Sequence, residues 1–242
     1  MIPKFDLDKI KFSVDEPTFN KAINLYEGGK VVDFKEEFNG FSAIVEGTYQ
    51  YQVFVDVNHH DRGNCNCYLG QEDVLCKHMV AVAIYAILKG NKIGNQDKKV
   101  SSQPVCSGRL GILNKEELAE IKKKITEAFK YIKPYNGPSK TWFAYQNSLT
   151  EGCSRLSALV CDLSVNIQTA KLLVDILLKA EGKIIKGGID DSDGTVGNFI
   201  VLTVGVLQEY ARLDSKCLDT FEVLKNLSTS FGWEEPLVKL IK

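Results

Sequence analysis

Arginine is scarce in this chain of 242 residues: Arg62, Arg109, Arg155 and Arg212 are all there are. Extensive bidentate reading of guanine is thereby excluded, because paired guanidinium groups supply that contact. Net charge is also missing, since 30 Lys and Arg stand against 31 Asp and Glu. No global field gathers nucleic acid or an anionic membrane, so any such contact must be local. Long apolar runs are absent as well. The longest, Met79–Leu88, is half of the roughly 20 residues that a bilayer span needs, so no membrane partner is expected. Residues Met1–Asp6 show no apolar h-region, which predicts no secretory signal. A phosphate-binding loop is missing too: around Gly29-Lys30, Asn24 stands where the first Gly is needed and Val31 where Ser or Thr is needed. No nucleotide cofactor is expected. Ile189-Asp190-Asp191-Ser192-Asp193-Gly194 fails as a calcium loop, because Ile189 and Ile200 occupy the first and twelfth ligand positions. It reads instead as an acidic loop whose Asp193 or Thr195 caps the next helix. With no paired carboxylates in a catalytic context, the chain is expected not to be an enzyme.

What is present is ordinary globular material, 44% hydrophobic and 25% charged, which excludes disorder and fibrous repeats. Seven cysteines, an odd number without an export signal, predict reduced thiols in a cytoplasmic protein. Over Asp15–Glu27, apolar Phe19, Ala22, Ile23 and Tyr26 form one helix face that stops at Gly28-Gly29. Three β-favouring runs follow, Val31–Glu37, Phe41–Glu46 and Tyr49–Val57, separated by Asn39-Gly40 and Gly47-Thr48 turns. They predict an antiparallel meander. A cysteine-rich loop then leads into a compact apolar helix over residues 77–88.

Residues 91–113 are polar and aperiodic and read as a linker. Beyond them the texture is helical. Asn114 and Glu117 form a capping box, and Leu118, Ile121, Ile125, Ala128, Phe129 and Ile132 share a face. Trp142, Tyr145, Leu149, Cys153, Leu156, Val160 and Leu163 step by three and four, as do Leu172, Leu173, Ile176, Leu177 and Ala180. Thr195–Leu213 is rich in β-branched residues but too long for a strand, and Lys216–Leu227 completes a bundle. The remaining thiols, Cys106, Cys153, Cys161 and Cys217, lack ligand spacing and are expected in apolar surroundings. The expected fold class is α+β: an N-terminal domain over 1–90 built of helix, meander, cysteine-rich loop and helix, a linker over 91–113, and an all-α domain over 114–242.

Chemistry concentrates in Cys65-Asn66-Cys67, eight further residues, and Cys76-Lys77-His78. Zinc takes four soft or borderline ligands in a tetrahedron, and three thiolates with one imidazole close the shell. Such closure favours a structural ion. Residues i and i+2 of a helix diverge by about 200°, so Cys76 must precede the first turn while His78 sits in it. The free amides of that turn then favour thiolate. Free thiols and a catalytic Cys–His pair are the rival readings; nothing in the spacing singles out one cysteine as nucleophile. His59 and His60 lie nearby as spare donors, though both read as surface residues at a strand end.

The C-x-C and C-x-H pairs, preceded by strands and followed by a helix, resemble the SWIM zinc finger over about residues 45–88. The lead-in Tyr26-Glu27-Gly28-Gly29-Lys30-Val31 and the small residues Ala81 and Ala83 are similar to bacterial and archaeal members. The resemblance implies that Cys65, Cys67, Cys76 and His78 ligate Zn2+. SWIM modules occur in helicase-like ATPases, transposases, ubiquitin ligases and recombination accessory factors, and are inferred to bind DNA or protein. Two functions follow as expectations. One is weak, sequence-tolerant DNA binding, with phosphate contacts from the only basic stretch, above all Lys115, Lys122, Lys123 and Lys124, with Lys98 and Lys99 nearby. The other is a protein-interaction adaptor whose helical domain docks a partner.

Overall fold

The computed structural model describes residues 1–95, 97–98, 103–137 and 142–241, with residues 142–144 described by backbone alone. Lys99 and the side chain of Trp142 lie outside the described residues. The chain divides into two compact units, Met1–Val100 and Ser101–Lys242. No helix among the described residues is long and apolar enough to cross a membrane.

The first unit opens with α1 (Leu7–Lys11), started by Asp6, whose side chain accepts a hydrogen bond from the Lys9 amide at 2.7 Å. Five residues are too few to display a helical period, so sequence pattern does not reveal it. Asp15 caps α2 (Glu16–Glu27) by accepting from the Thr18 amide at 2.7 Å, with Pro17 in the first turn. Phe19, Ala22, Ile23 and Tyr26 are buried, as their spacing requires.

The expected meander forms as β1 (Val31–Glu36), β2 (Gly40–Glu46) and β3 (Gln50–Asp56), and β4 (Gly63–Cys65) extends it. All pairings are antiparallel, in the order β1-β2-β3-β4. The Gly-Asn-Cys of β4 carries no alternation, so only pairing with β3 defines it as a strand. Phe41, Ala43, Val45, Val53 and Val55 are buried on one face of the sheet. Helix α4 (Lys77–Leu88) packs against that face and against α2. Its residues Met79–Ile84 are each at most 3% exposed. That position explains the longest apolar run in the chain: a helix covered on two sides has little room for a polar face.

The second unit holds α5 (Lys115–Ala128), α6 (Trp142–Asp162), α7 (Ile167–Ile185), α8 (Thr195–Leu213) and the short α9 (Glu235–Val238). The Asn114–Glu117 capping box starts α5, with reciprocal hydrogen bonds of 2.9 and 2.8 Å. Tyr145, Leu149, Cys153, Leu156 and Val160 line the buried side of α6, and Leu172, Leu173, Ile176, Leu177 and Ala180 that of α7. The β-branched Thr195–Leu213 run is helical. Ser215–Leu224 winds as 3-10 helix where a regular helix over Lys216–Leu227 was expected. The buried Cys217, Phe221 and Leu224 are spaced four and three apart, which suits either winding. The cap of α8 also differs from expectation. Gly194 is the cap residue in a left-handed conformation (φ 74°), and the carboxylate of Asp191 accepts from the Val196 and Gly197 amides, both at 2.8 Å. Asp193 binds only Thr195, by its amide and hydroxyl. The turn at Gly194 lets a residue further upstream reach the open amides.

The segment expected as a linker is tied at both ends. Ile93 is 5% exposed and belongs to the core of the first unit. In the second unit, the Val105 amide donates to Cys161 Sγ (3.3 Å), Ser107 Oγ to the Leu163 carbonyl (2.5 Å) and the Val165 amide to the Arg109 carbonyl (2.6 Å). Leu110 bridges Val165 in parallel. Polar composition conceals this pairing, because each bond has a backbone group on at least one side, which every sequence possesses. Cys153 and Cys217 are buried as expected, and burial pushes both thiols up, Cys217 to about 11. Cys106 and Cys161 are only partly covered.

Candidate metal centre

Strand pairing, one tight turn and one helix start bring four donors together. Cys65 closes β4 opposite Val53 of β3. Cys67 then caps α3 (Tyr68–Gln71), and its Sγ accepts from the Gly70 amide at 3.3 Å. Position 70 must be glycine, because a Cβ there would lie 2.3 Å from the Cys65 carbonyl oxygen. That close approach turns the chain back on itself within five residues and points both thiols one way. Cys76 is the cap residue of α4, with extended backbone (φ −100°, ψ 163°), and His78 lies in the first turn. The divergence of i and i+2 on a regular helix is avoided because Cys76 stands outside it.

The three Sγ atoms and the His78 ring donor all lie within 4.8 Å of one another. His78 Nδ1 is 3.7 Å from Cys65 Sγ and 3.9 Å from Cys76 Sγ. A tetrahedral zinc with ordinary Zn–S and Zn–N lengths separates its donors by about 3.5–3.8 Å. The donor set and its spacing therefore fit such an ion. All four residues are nearly covered, Cys67 most open at 8% exposed. The imidazole is fixed by Tyr51, which stacks on it at 4.0 Å between centroids and 21° between planes. His78 Nε2 is buried with no hydrogen-bond partner among the described residues.

Within the thiol cluster, the hydrogen bond from Cys65, then the His78 ring and the Met79 amide at the start of α4, bring the Cys76 thiol well below its ordinary range. Cys65 is raised in turn, first by the hydrogen bond it shares with Cys76 and then by burial. A metal ion takes the place of that shared proton, which is why binding to such a cluster releases protons.

Neither neighbouring histidine joins the group. His59 is exposed, as expected, but His60 is 2% exposed, a correction to the reading that placed both at the surface. Asp56 accepts from the Asn58 and His59 amides, and this turn folds His60 inward, where Nε2 lies 2.7 Å from Ser13 Oγ and the ring meets Phe5. Burial lowers His60 from its ordinary 6.5 to about 4. The unfolded chain therefore binds the proton first, and the associated stability is present above about pH 6.5 and lost as pH falls toward 4. Between pH 7 and pH 5 this amounts to about 2 kcal/mol. Chemical denaturation at the two pH values is expected to show a drop smaller by that amount in His60→Gln than in the parent. An equal drop in both proteins would refute it.

Of the lysines expected to meet phosphate, Lys115, Lys122, Lys123 and Lys124 lie on α5 and are exposed, while Lys98 of the first unit pairs with Glu27 at 2.6 Å. The helix does not gather them into one row. Lys122, Lys123 and Lys124 are consecutive, so they fan out by about 100° each, and only Lys115 and Lys122 share a face. Glu116, Glu117, Glu120 and Glu127 stand on the same helix, and Lys124 pairs with Glu120 at 2.9 Å.

Sequence reasoning missed Tyr51 and Gly70, which hold the ligands without ligating. Tyr51 carried no signal beyond strand alternation, whereas Gly70 inside a ligand-bearing loop is the kind of residue that marks close backbone approach.

The family model of the SWIM zinc finger matches residues 51–87, which span β3, β4, α3 and α4 and include all four donors. No curated protein and no solved structure matches the chain. Family match and donor geometry coincide on the same side chains, and the chain is a SWIM zinc finger domain-containing protein.

Proposed function

We propose that the finger holds one zinc ion permanently, for structure, and that the protein is a non-catalytic nucleic-acid-binding factor with little sequence preference. Four protein donors close a tetrahedral shell and leave no position for a reacting water, which supports a structural rather than a catalytic ion. The observation that carries nucleic acid as ligand is local charge. Lys21 and Lys77 stand beside the metal centre, form no ion pair among the described residues, and share their surface hollow with no carboxylate. Three thiolates on a dication leave a charge of −1, which two ammonium groups overcompensate. Lys115 and Lys122 add a second, weaker basic row in the other unit. Scarce arginine argues for phosphate contacts rather than base reading.

The test is binding of zinc-loaded protein to labelled single- and double-stranded DNA across a salt series. The expected result is affinity that falls steeply with salt, by about 0.7 to 0.9 in log–log slope per phosphate contacted, and that disappears when zinc is chelated. No binding at low salt would overturn the reading.

One feature favours the adaptor as the second reading. The helices of the first unit pack on one face of its sheet, while Val32, Ile44 and Phe54 on the other are only partly buried and Phe38 at the β1–β2 turn is 98% exposed. An adaptor binds its protein partner through such apolar surface and tolerates salt.

A further inference from the structure

Over the metal centre, against the ligands Cys67, Cys76 and His78, lies an open groove of about 260 Å³, walled otherwise by Lys21 of α2, Tyr51 of β3, Tyr68 and Leu69 of α3, and Lys77 of α4. Its aromatic content is unusual for this protein. Among the described residues only two tyrosines are largely exposed, and both belong here: Tyr68 at 78% on the wall and Tyr49 at 73% beside it. Tyr49 meets Tyr51 edge to face (6.4 Å, 83°), and Tyr51 in turn lies flat on His78. Tyr49 thus stands on a base anchored at His78, and Tyr49 and Tyr68 both offer most of their surface to solvent. Leu69, 46% exposed, extends the apolar floor. The groove adds two ammonium groups and no carboxylate.

Exposed aromatic rings set among ammonium groups match the chemistry of unpaired bases joined by phosphates. A duplex suits the groove less well, because its bases are already stacked on one another and its affinity depends on many phosphate contacts where two lysines are offered. We propose that this groove binds single-stranded nucleic acid, with bases stacked on Tyr49 and Tyr68 and phosphates held by Lys21 and Lys77. The inference rests on the nucleic-acid reading above and gives its finger-side footprint a strand form and named stacking residues, where the sequence pointed to the lysines of α5. It also gives the metal a role in binding. Tyr68 follows Cys67, Lys77 lies between Cys76 and His78, and Tyr51 rests on His78, so the groove exists only while the ligands are gathered.

The experiment uses the full chain with its zinc content measured in every sample. A fluorescein-labelled oligothymidylate of about 20 nucleotides and a duplex of equal length are titrated, followed by anisotropy. Tyr49→Ala and Tyr68→Ala, both at exposed positions, are expected to retain zinc and to bind the single strand about 5- to 100-fold more weakly, with duplex affinity little changed. Tyr68→Trp is expected to keep the affinity and to show fluorescence quenching by the oligonucleotide beyond that of the parent. Lys21→Gln and Lys77→Gln are each expected to reduce the salt slope by about 0.7. If the parent binds the single strand and the tyrosine variants bind it equally well, the groove is overturned while the nucleic-acid reading stands. Loss confined to a Lys122, Lys123 and Lys124 triple-alanine variant would return the footprint to α5. If the parent binds neither strand form, both fail. Equal, tyrosine-dependent capture of a polyglutamate peptide would overturn the groove's assignment in favour of an acidic protein partner.

Discussion

Cys76→Ala is expected to abolish stoichiometric zinc binding and to melt the first unit while the second stays folded. Cys76 is one of the four donors and stands at the junction of the loop with the central helix α4. Removing it leaves three donors and opens the shell. Structural zinc contributes on the order of 10 kcal/mol or more to folding in small modules, as much as the whole stability of a typical domain. The consequence reaches beyond the loop because Cys65, Cys67 and Cys76 are members of the same buried cluster as Phe41, Val53 and Ile84. Two signals separate the units. Both tryptophans, Trp142 and Trp233, belong to the second unit, so their thermal fluorescence transition is expected to stay at the parent's temperature while far-ultraviolet circular dichroism and bound zinc both fall. His78→Ala is expected to behave alike. Unchanged zinc stoichiometry and unchanged dichroism in both variants would sink the assignment.

Glu181→Ala carries the second large effect, in the other unit. Glu181 is 6% exposed on α7, and its side chain accepts from the Ser230 amide (2.6 Å), the Ser230 hydroxyl (3.1 Å) and the Trp233 indole N–H (3.1 Å). One side chain thus ties residues 230–233 to the bundle. Truncation leaves the buried Trp233 indole N–H without its acceptor and removes both charge-assisted bonds from the exposed Ser230, and a loss of about 2 kcal/mol is expected. In a Trp142→Phe background Trp233 is the only tryptophan, so its emission reads the site directly. It is expected to shift to longer wavelength in Glu181→Ala and less in Glu181→Gln, which keeps an acceptor oxygen. Parent-like emission together with a parent-like unfolding midpoint would show that the C-terminal segment is held by Leu237 and Trp233 packing alone.

The elements read correctly from sequence are those with a period to display. α2, α6, α7 and the three long strands each repeat a buried position often enough to declare their faces, and the β-branched α8 is told from a strand by its length. The misread elements are short or carried by backbone. α1 has five residues and β4 three. The pairing of residues 105–111 with the end of α6 and the residues after it leans on backbone carbonyls and amides met by scattered side chains, and the α8 cap comes from Asp191 because Gly194 bends the chain past the nearer Asp193. His60 was misread for a related reason: a polar residue at a strand end is exposed by composition, and only the Asp56 turn places it beneath α1.

The ligand set itself was legible because its chemistry is local. Four donors within fourteen positions and the angular rule for residues i and i+2 require a closed shell with Cys76 ahead of the helix, whatever surrounds it. The surroundings were decided by tertiary structure. Register brings Cys65 opposite Val53, Gly70 lets α3 lie on β4, and α2 carries Lys21 from far along the chain to the rim where Tyr51 and Tyr68 already stand. Donor identity is a property of residues, and so it can be read in order along the chain. A binding surface is a property of distances between residues remote in sequence, and those exist only once burial of the apolar faces has folded the chain.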